Sequence, residues 1–271
     1  MTTSADKDFA GSIPHLYERH LVPLIFQPYA LDLARRLEGR PMARLLEVAA
    51  GTGVVTRALD RVLPQAVSIV ASDLNQAMVD EAAAQGTGRA VEWRQADVMR
   101  LPFAESEFDV VVCQFGAMFF PDKPAAFAEV RRVLRPGGLF IFNVWDRIEK
   151  NDFVHAVMGA LEALYPQDPP RFMVRSPHGY FDTDTISRDL ALGGFAGEVQ
   201  IDSLAVRSRA ASARSAAIGY CQANPMRVEI ESHGPSSLAE ATDAAEEALL
   251  KRFGAGPIEG GIQALVVSVE R

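Results

Sequence analysis

Between Arg44 and Asp146 the chain alternates short strand-like runs with helical patterns, and that alternation restricts the fold more than any other feature. The runs are 45–48, 68–72, 91–95, 108–114 and 139–145. Valine, isoleucine, leucine and phenylalanine recur in them without strict polar alternation, as in strands covered on both faces. Between the runs, Val55, Ala58, Leu59 and Val62 recur at helical spacing before Pro64. Asn75 and Gly86 bracket a second helix, and Phe127, Val130 and Leu134 mark a third that stops at Pro136-Gly137-Gly138. Repeated βαβ units predict an α/β fold with a doubly wound, mostly parallel sheet. Residues 198–207 and 262–269 supply two further strands, making seven.

The flanks are less regular. Residues 1–40, with Pro14, Pro23 and Pro28, predict short helices and turns. Their segment 17–29 is too apolar to stay in water, so they are expected to form a helical flap over a domain spanning 41–271. Helices are expected at 151–165 and 183–192. An alanine-rich insertion at about 210–256, broken near Asn224-Pro225 and His233-Gly234-Pro235, reads as a helical lid.

Composition removes several function classes. The formal net charge is −8, from 27 Lys and Arg against 35 Asp and Glu, which disfavours a nucleic-acid backbone as partner. Arg131, Arg132 and Arg135 read as the solvated face of a helix. Two cysteines without a Cys-x-x-Cys pair imply neither a disulfide framework nor zinc, and Cys113 reads as a small buried hydrophobe. The five histidines show no ligand spacing, so no metal is expected. The first residues are polar and acidic without an apolar core, and no stretch approaches the ~20 apolar residues of a membrane span, so a cytoplasmic protein is expected.

Chemistry concentrates at the strand ends. Leu45-Leu46-Glu47-Val48-Ala49-Ala50-Gly51-Thr52-Gly53 reads as a strand that stops at an acid and opens into a glycine turn. Glycine lets a ligand approach the backbone closely. Asp73 follows Gly51 by 22 residues, at the end of the second strand, where a carboxylate can accept both hydroxyls of a ribose. With Asp97 ending the third, Glu47, Asp73 and Asp97 are expected to face one crevice. A nicotinamide dinucleotide and S-adenosylmethionine both fit such a crevice. The third glycine of G-x-G-x-x-G is replaced by Thr56, and three acids repel a pyrophosphate, whereas they suit a sulfonium and an ammonium.

The chain resembles the class I S-adenosylmethionine-dependent methyltransferases, in the small-molecule group similar to ubiquinone/menaquinone-biosynthesis methyltransferases. The matching residues are LLEVAAGTG (45–53), ASDLN (71–75), ADVMRLPF (96–103), FDVVVCQFGAMFFPD (108–122) and EVRRVLRPGGLFIFNVW (129–145), with a weaker likeness in YERHLVPLIFQPYA (17–30). The resemblance implies a Rossmann-like methyltransferase fold and methyl transfer from S-adenosylmethionine to a small-molecule acceptor. It implies that Glu47 and the turn Ala49, Gly51, Thr52 and Gly53 hold the methionine end. Asp73 would bind the ribose, Leu74 pack on the adenine, Asp97 and the Val98 backbone meet its amino edge, and Gln114 and Phe115 meet the ammonium and sulfonium. Tyr17 joins this cofactor-binding set. Ala49 stands where glycine is common, and is expected to tighten the turn without loss of binding.

Phe115, Met118, Phe119 and Phe120 read as core. His15, Tyr17, His20 and His178 are candidate general bases by type and region only; Asp146 and Asp152 read as solvated loop acids. The fourth strand lacks the Asn/Asp-Pro-Pro-Tyr/Phe motif that the resemblance associates with methylation of nucleobase and amide nitrogens. A non-catalytic S-adenosylmethionine binder and a nicotinamide-dependent oxidoreductase remain as alternatives.

Overall fold

In the computed structural model, which describes residues 11–271, seven strands form one sheet. They are β1 (Arg44–Val48), β2 (Ser68–Asp73), β3 (Val91–Gln95), β4 (Phe108–Gln114), β5 (Leu134–Trp145), β6 (Gln200–Ala210) and β7 (Ile258–Glu270), in the order β3-β2-β1-β4-β5-β7-β6. Pairing is parallel from β3 through β5, and β7 runs antiparallel between β5 and β6. The strand order reverses between β1 and β4, and a crevice opens at their carboxyl ends.

Leu45, Leu46, Val110–Cys113, Phe140 and Phe142 are buried because helices cover both faces of the central strands. β3 departs from that expectation. It lies at the sheet edge, so Glu92, Arg94 and Gln95 stay exposed. The crossover helices are α3 (Val54–Val62), α4 (Gln76–Gln85) and α5 (Lys123–Val133). Asp122 caps α5 by accepting from the Ala125 N–H at 3.0 Å, and Leu134, expected on that helix, begins β5 instead. Asn75 stands at the N-terminus of α4 without capping it.

The arginine cluster is a solvated face only in part: Arg135 is exposed, whereas Arg131 and Arg132 are half-buried. Arg132 donates to the carbonyls of Leu101 and Phe103 and pairs with Glu129, while Arg135 pairs with Asp109, so both staple loops to α5 and the start of β5.

The N-terminal segment is one continuous helical run rather than short helices and turns. α1 (Ile13–Leu16) passes into a π-helical stretch, Tyr17–Phe26, and then into α2 (Gln27–Leu37). Pro14 occupies a first-turn position that needs no N–H donor, Pro23 sits inside the wider π turn, and Pro28 sits where that turn passes into α2. Leu33, Ala34 and Leu37 of α2 pack in one core cluster with Val55 and Leu59 of α3. The portion of the expected flap in residues 1–10 lies outside the described residues.

Beyond β5 come α6 (Asp152–Leu164), α7 (Phe172–Arg175) and α8 (Thr183–Leu192). The insertion between β6 and β7 forms α9 (Ala213–Gln222), α10 (Met226–Glu231) and α11 (Ser237–Phe253), with α11 packed on α6 and α9. No helix among the described residues is long and apolar enough to cross a membrane.

Arg89 anchors the end of α3, whose other end carries the glycine turn. Its side chain is 5% exposed, pairs with Asp60 at 2.9 Å and donates to the carbonyls of Asp60, Leu63, Pro64 and Val67. Removing one partner of a buried pair costs about 3–5 kcal/mol. Arg89→Ala is expected to lower the urea-unfolding free energy by that order, and an unchanged midpoint would remove this anchor from the account.

Candidate active site

The turn after β1 is built from left-handed backbone. Ala49, Gly51 and Gly53 have φ of 53°, 56° and 81°. Two of these positions carry the residue that adopts this conformation freely; Ala49 does so against its Cβ. Space for its methyl comes from Gly116, where a Cβ would lie 2.4 Å from the Ala49 Cβ. The strain at Ala49 is matched by Phe115, at φ 50°, whose N–H is held by Asn143 Oδ1 at 2.9 Å.

Asp73 closes the turn from the side. Its Oδ2 accepts the Gly51 N–H and its Oδ1 the Asn75 N–H, each at 2.9 Å. Burial raises its pKa, and these backbone donors pull it back down. The Tyr17 phenol is pushed well above its ordinary range by burial first, then by the Asp73 and Glu18 charges, so it stays neutral beside the turn. Glu18 accepts from Thr52 Oγ1 at 2.5 Å and from Arg57 at 2.6 Å, which fastens the N-terminal helix to the glycine turn.

Over the strand ends lies a cavity of about 1360 Å³, counted out to its open mouth. Tyr17, Ala49, Gly51, Asp73, Leu74, Asp97, Val98, Gln114 and Phe115 line it. Glu47, Thr52 and Gly53 do not. The Glu47 carboxylate lies beneath the turn and accepts from Thr56 Oγ1 at 2.5 Å, and burial pushes its pKa up to about 8. The Thr52 hydroxyl turns to Glu18, and Gly53 faces Trp93 and Ala82. Two acids rather than three therefore reach the cavity. Asp97 stands exposed at its mouth and accepts the Met99 N–H at 2.9 Å. Leu74 is 41% exposed there.

The opposite wall is aromatic. Phe115 stacks on Trp145 with centroids 3.8 Å apart, and both line the cavity with Phe26, Phe119, Phe120 and Phe172. Phe115, Phe119 and Phe120 thus depart from a pure core role: they pack in the core and also face the cavity, whereas Met118 is core alone. Leu21 and Ile25 cover the cavity from the N-terminal helix, and Tyr220 and Asn224 from the insertion. Gln114 donates weakly to the Phe26 carbonyl at 3.4 Å, and its buried Oε1 has no hydrogen-bond partner.

Of the candidate bases, His178 and Tyr17 reach the cavity. His20 meets Ser215 at 3.4 Å and His15 is exposed. His178 is buried, with Nδ1 2.8 Å from the Asp146 carbonyl oxygen, and burial pushes its pKa down to about 4. Asp146 and Asp152 are structural acids rather than free ones: Asp146 accepts from Gln263, and Asp152 from Arg252 and the Gly261 N–H. Trp145, Tyr220, Asn224 and His178 complete the lining. Trp145 stands in the matching stretch 129–145, and the last three come from segments without a motif.

Residues 46–142 match a family described as Methyltransferase domain. A ubiquinone/menaquinone biosynthesis C-methyltransferase of Saccharophagus degradans is 26% identical over 185 residues, covering 64% of this chain and 73% of that protein. Its counterpart in Stutzerimonas stutzeri is 27% identical over 199 residues, covering 69% and 73%. A crystal structure described as a putative methyltransferase of Bacillus halodurans superposes with a TM-score of 0.55 at 18% identity, over 89% of this chain and 97% of that one. These findings support a class I S-adenosylmethionine-dependent methyltransferase, similar to the ubiquinone/menaquinone-biosynthesis group.

The Glu47 environment is checked by pH. Its carboxyl passes from 4.5 unfolded to about 8 folded, so the folded state holds a proton that the unfolded state has released. Its stabilising contribution is full below 4.5 and is lost as pH rises through about 8. Glu47→Gln keeps an acceptor for Thr56 and cannot ionise. Wild type is expected to lose urea stability relative to this variant across that window; parallel curves would place an ordinary carboxylate at Glu47.

Proposed function

We propose that this protein binds S-adenosylmethionine along the carboxyl ends of β1 to β4 and transfers its methyl group to a neutral, largely apolar small molecule held against the aromatic wall. One observation carries the reading: the cavity lining contains the carboxylates of Asp73 and Asp97 and no lysine or arginine. Such a lining suits a cation without phosphate and opposes a dinucleotide or a phosphorylated acceptor. The orphaned Gln114 Oε1 offers an acceptor for an ammonium, and the glycine turn allows close backbone approach.

In this reading Asp73 accepts the ribose hydroxyls, Leu74 and Val98 flank the adenine, and Asp97 takes its amino group. Ala49, Gly51 and Gln114 hold the methionine end, with Tyr17 and Phe115 beside the sulfonium. Glu47, Thr52 and Gly53 shape the turn from behind. When bound, S-adenosylmethionine supplies a methyl carbon activated by its sulfonium. The protein's share is orientation and exclusion of water. The helix Tyr17–Phe26, fastened through Glu18, acts as the flap, and the insertion α9–α11 as the lid. The relatives are C-methyltransferases of ubiquinone and menaquinone biosynthesis, and a flat apolar acceptor agrees with the stacked Phe115 and Trp145. A cytoplasmic enzyme without a nucleic-acid partner fits the charge of −8.

S-Adenosylhomocysteine is expected to raise the melting temperature and NAD to leave it unchanged; a hundredfold excess over Kd stabilises by about 2.7 kcal/mol. Asp73→Asn is expected to weaken S-adenosylhomocysteine at least about tenfold by calorimetry, since a hydrogen bond to a charged group contributes about 1.5–3 kcal/mol. Stabilisation by NAD alone would overturn the proposal, and full affinity in the variant would remove Asp73 from the site.

A further inference from the structure

We infer that His178 is the catalytic residue that takes up the proton lost by the methyl acceptor, and that the acceptor is accordingly a hydroxyarene. The inference rests on the methyl-transfer reading above.

The tautomer follows from one contact. His178 Nδ1 lies 2.8 Å from the Asp146 carbonyl oxygen, which can only accept. Nδ1 therefore carries the hydrogen, and in the neutral ring the lone pair sits on Nε2. Among the described residues Nε2 meets no hydrogen-bonding partner, and the 7% exposed ring lines the cavity. The ring centroid is 6.0 Å from that of Trp145, which stacks on Phe115. His178 thus stands at the β5 end of the cavity, across β1 and β4 from Asp73, beside the wall that suits a flat ring.

No other lining side chain does this work. Asp73 and Asp97 belong to the far end. Tyr17 and Tyr220 carry phenols whose ionisation burial pushes far above neutrality. The charges that act on His178 are those of Asp146 and Glu149, both of which favour its protonated form, while burial keeps it neutral beforehand. A base that is free at neutral pH is useful only to an acceptor with a proton to lose.

The step balances. The O–H bond pair stays on the hydroxyarene as its proton passes to Nε2. The nucleophilic atom of the acceptor bonds the methyl carbon, and the pair of the broken carbon–sulfur bond returns to sulfur. One positive charge leaves the sulfonium and one appears on the imidazolium, so the net charge of the cavity does not change.

Three measurements on the full-length chain test this. Calorimetry with S-adenosylhomocysteine tests the underlying reading; no binding to the wild type defeats that reading and the inference with it. Nitrogen-15 NMR of the histidine rings at neutral pH is expected to show His178 protonated at Nδ1 and bare at Nε2. A proton on Nε2 overturns the inference alone, and this result needs no variant to fold. Transfer of a tritiated methyl group is then followed to naphthols of rising acidity, from 1-naphthol to 4-nitro-1-naphthol. His178→Asn retains a donor toward the Asp146 carbonyl and is expected to keep its affinity for S-adenosylhomocysteine. It should lose about 100-fold or more in kcat on 1-naphthol, in the range of general-base effects. The loss should shrink with the acidity of the acceptor, because an acceptor that ionises unaided needs no base. An equal loss across the series overturns the inference, as does a wild type that binds S-adenosylhomocysteine and methylates none of these naphthols.

Discussion

The hydrogen bonds of the Asp73 carboxylate are the constraint on which the rest of this site depends. One oxygen holds the Gly51 N–H and the other the Asn75 N–H, so a single side chain joins the turn after β1 to the turn after β2. The carboxylate is 7% exposed, and a buried charge without donors is costly. One of its donors, the Gly51 N–H, belongs to the left-handed turn in which Ala49, Gly51 and Gly53 all take positive φ. Gly116 in turn leaves room for the Ala49 methyl. Sequence, backbone strain and charge are thus settled together at one point of the sheet.

A second set of contacts decides how that point is enclosed. Glu18 reaches from the N-terminal helix to Thr52 and Arg57, and Arg57 also donates to the Thr52 carbonyl at 2.6 Å. The helix that covers the cavity is therefore tied to the turn that shapes its floor. Their exposures of 17% and 18% leave the Glu18–Arg57 pair partly shielded from solvent, where a pair is screened less than at the surface. At the far side the stacked Phe115 and Trp145 provide a flat wall next to a neutral histidine. One cavity thus holds an acidic end and an uncharged aromatic end.

The parts of this arrangement that depend on local backbone were legible in the sequence. The glycine turn, the strand-end position of Asp73 and the helix Thr183–Leu192, capped by Asp182, each carry their signal within a few neighbouring residues. The parts that depend on distant partners were not. Glu47 alternates with Leu46 and Val48 along β1, and Thr56 on α3 turns its carboxylate away from the cavity. The arginines of α5 and β5 read as a polar face until the loop after β3 folds back onto Arg132. Three prolines read as breaks in the N-terminal run, although the helical run continues through them with a wider π turn. His178 lies in an irregular segment, and its meaning comes from the Asp146 carbonyl, 32 residues earlier.

The most direct test of this account is a crystal structure of the full-length chain with S-adenosylhomocysteine. Both ribose hydroxyls are expected on the Asp73 carboxylate, with the adenine between Leu74 and Val98 and the Tyr17–Phe26 helix closed over the ligand. A ligand bound elsewhere in the cavity, with Asp73 still engaged only by Gly51 and Asn75, would contradict it.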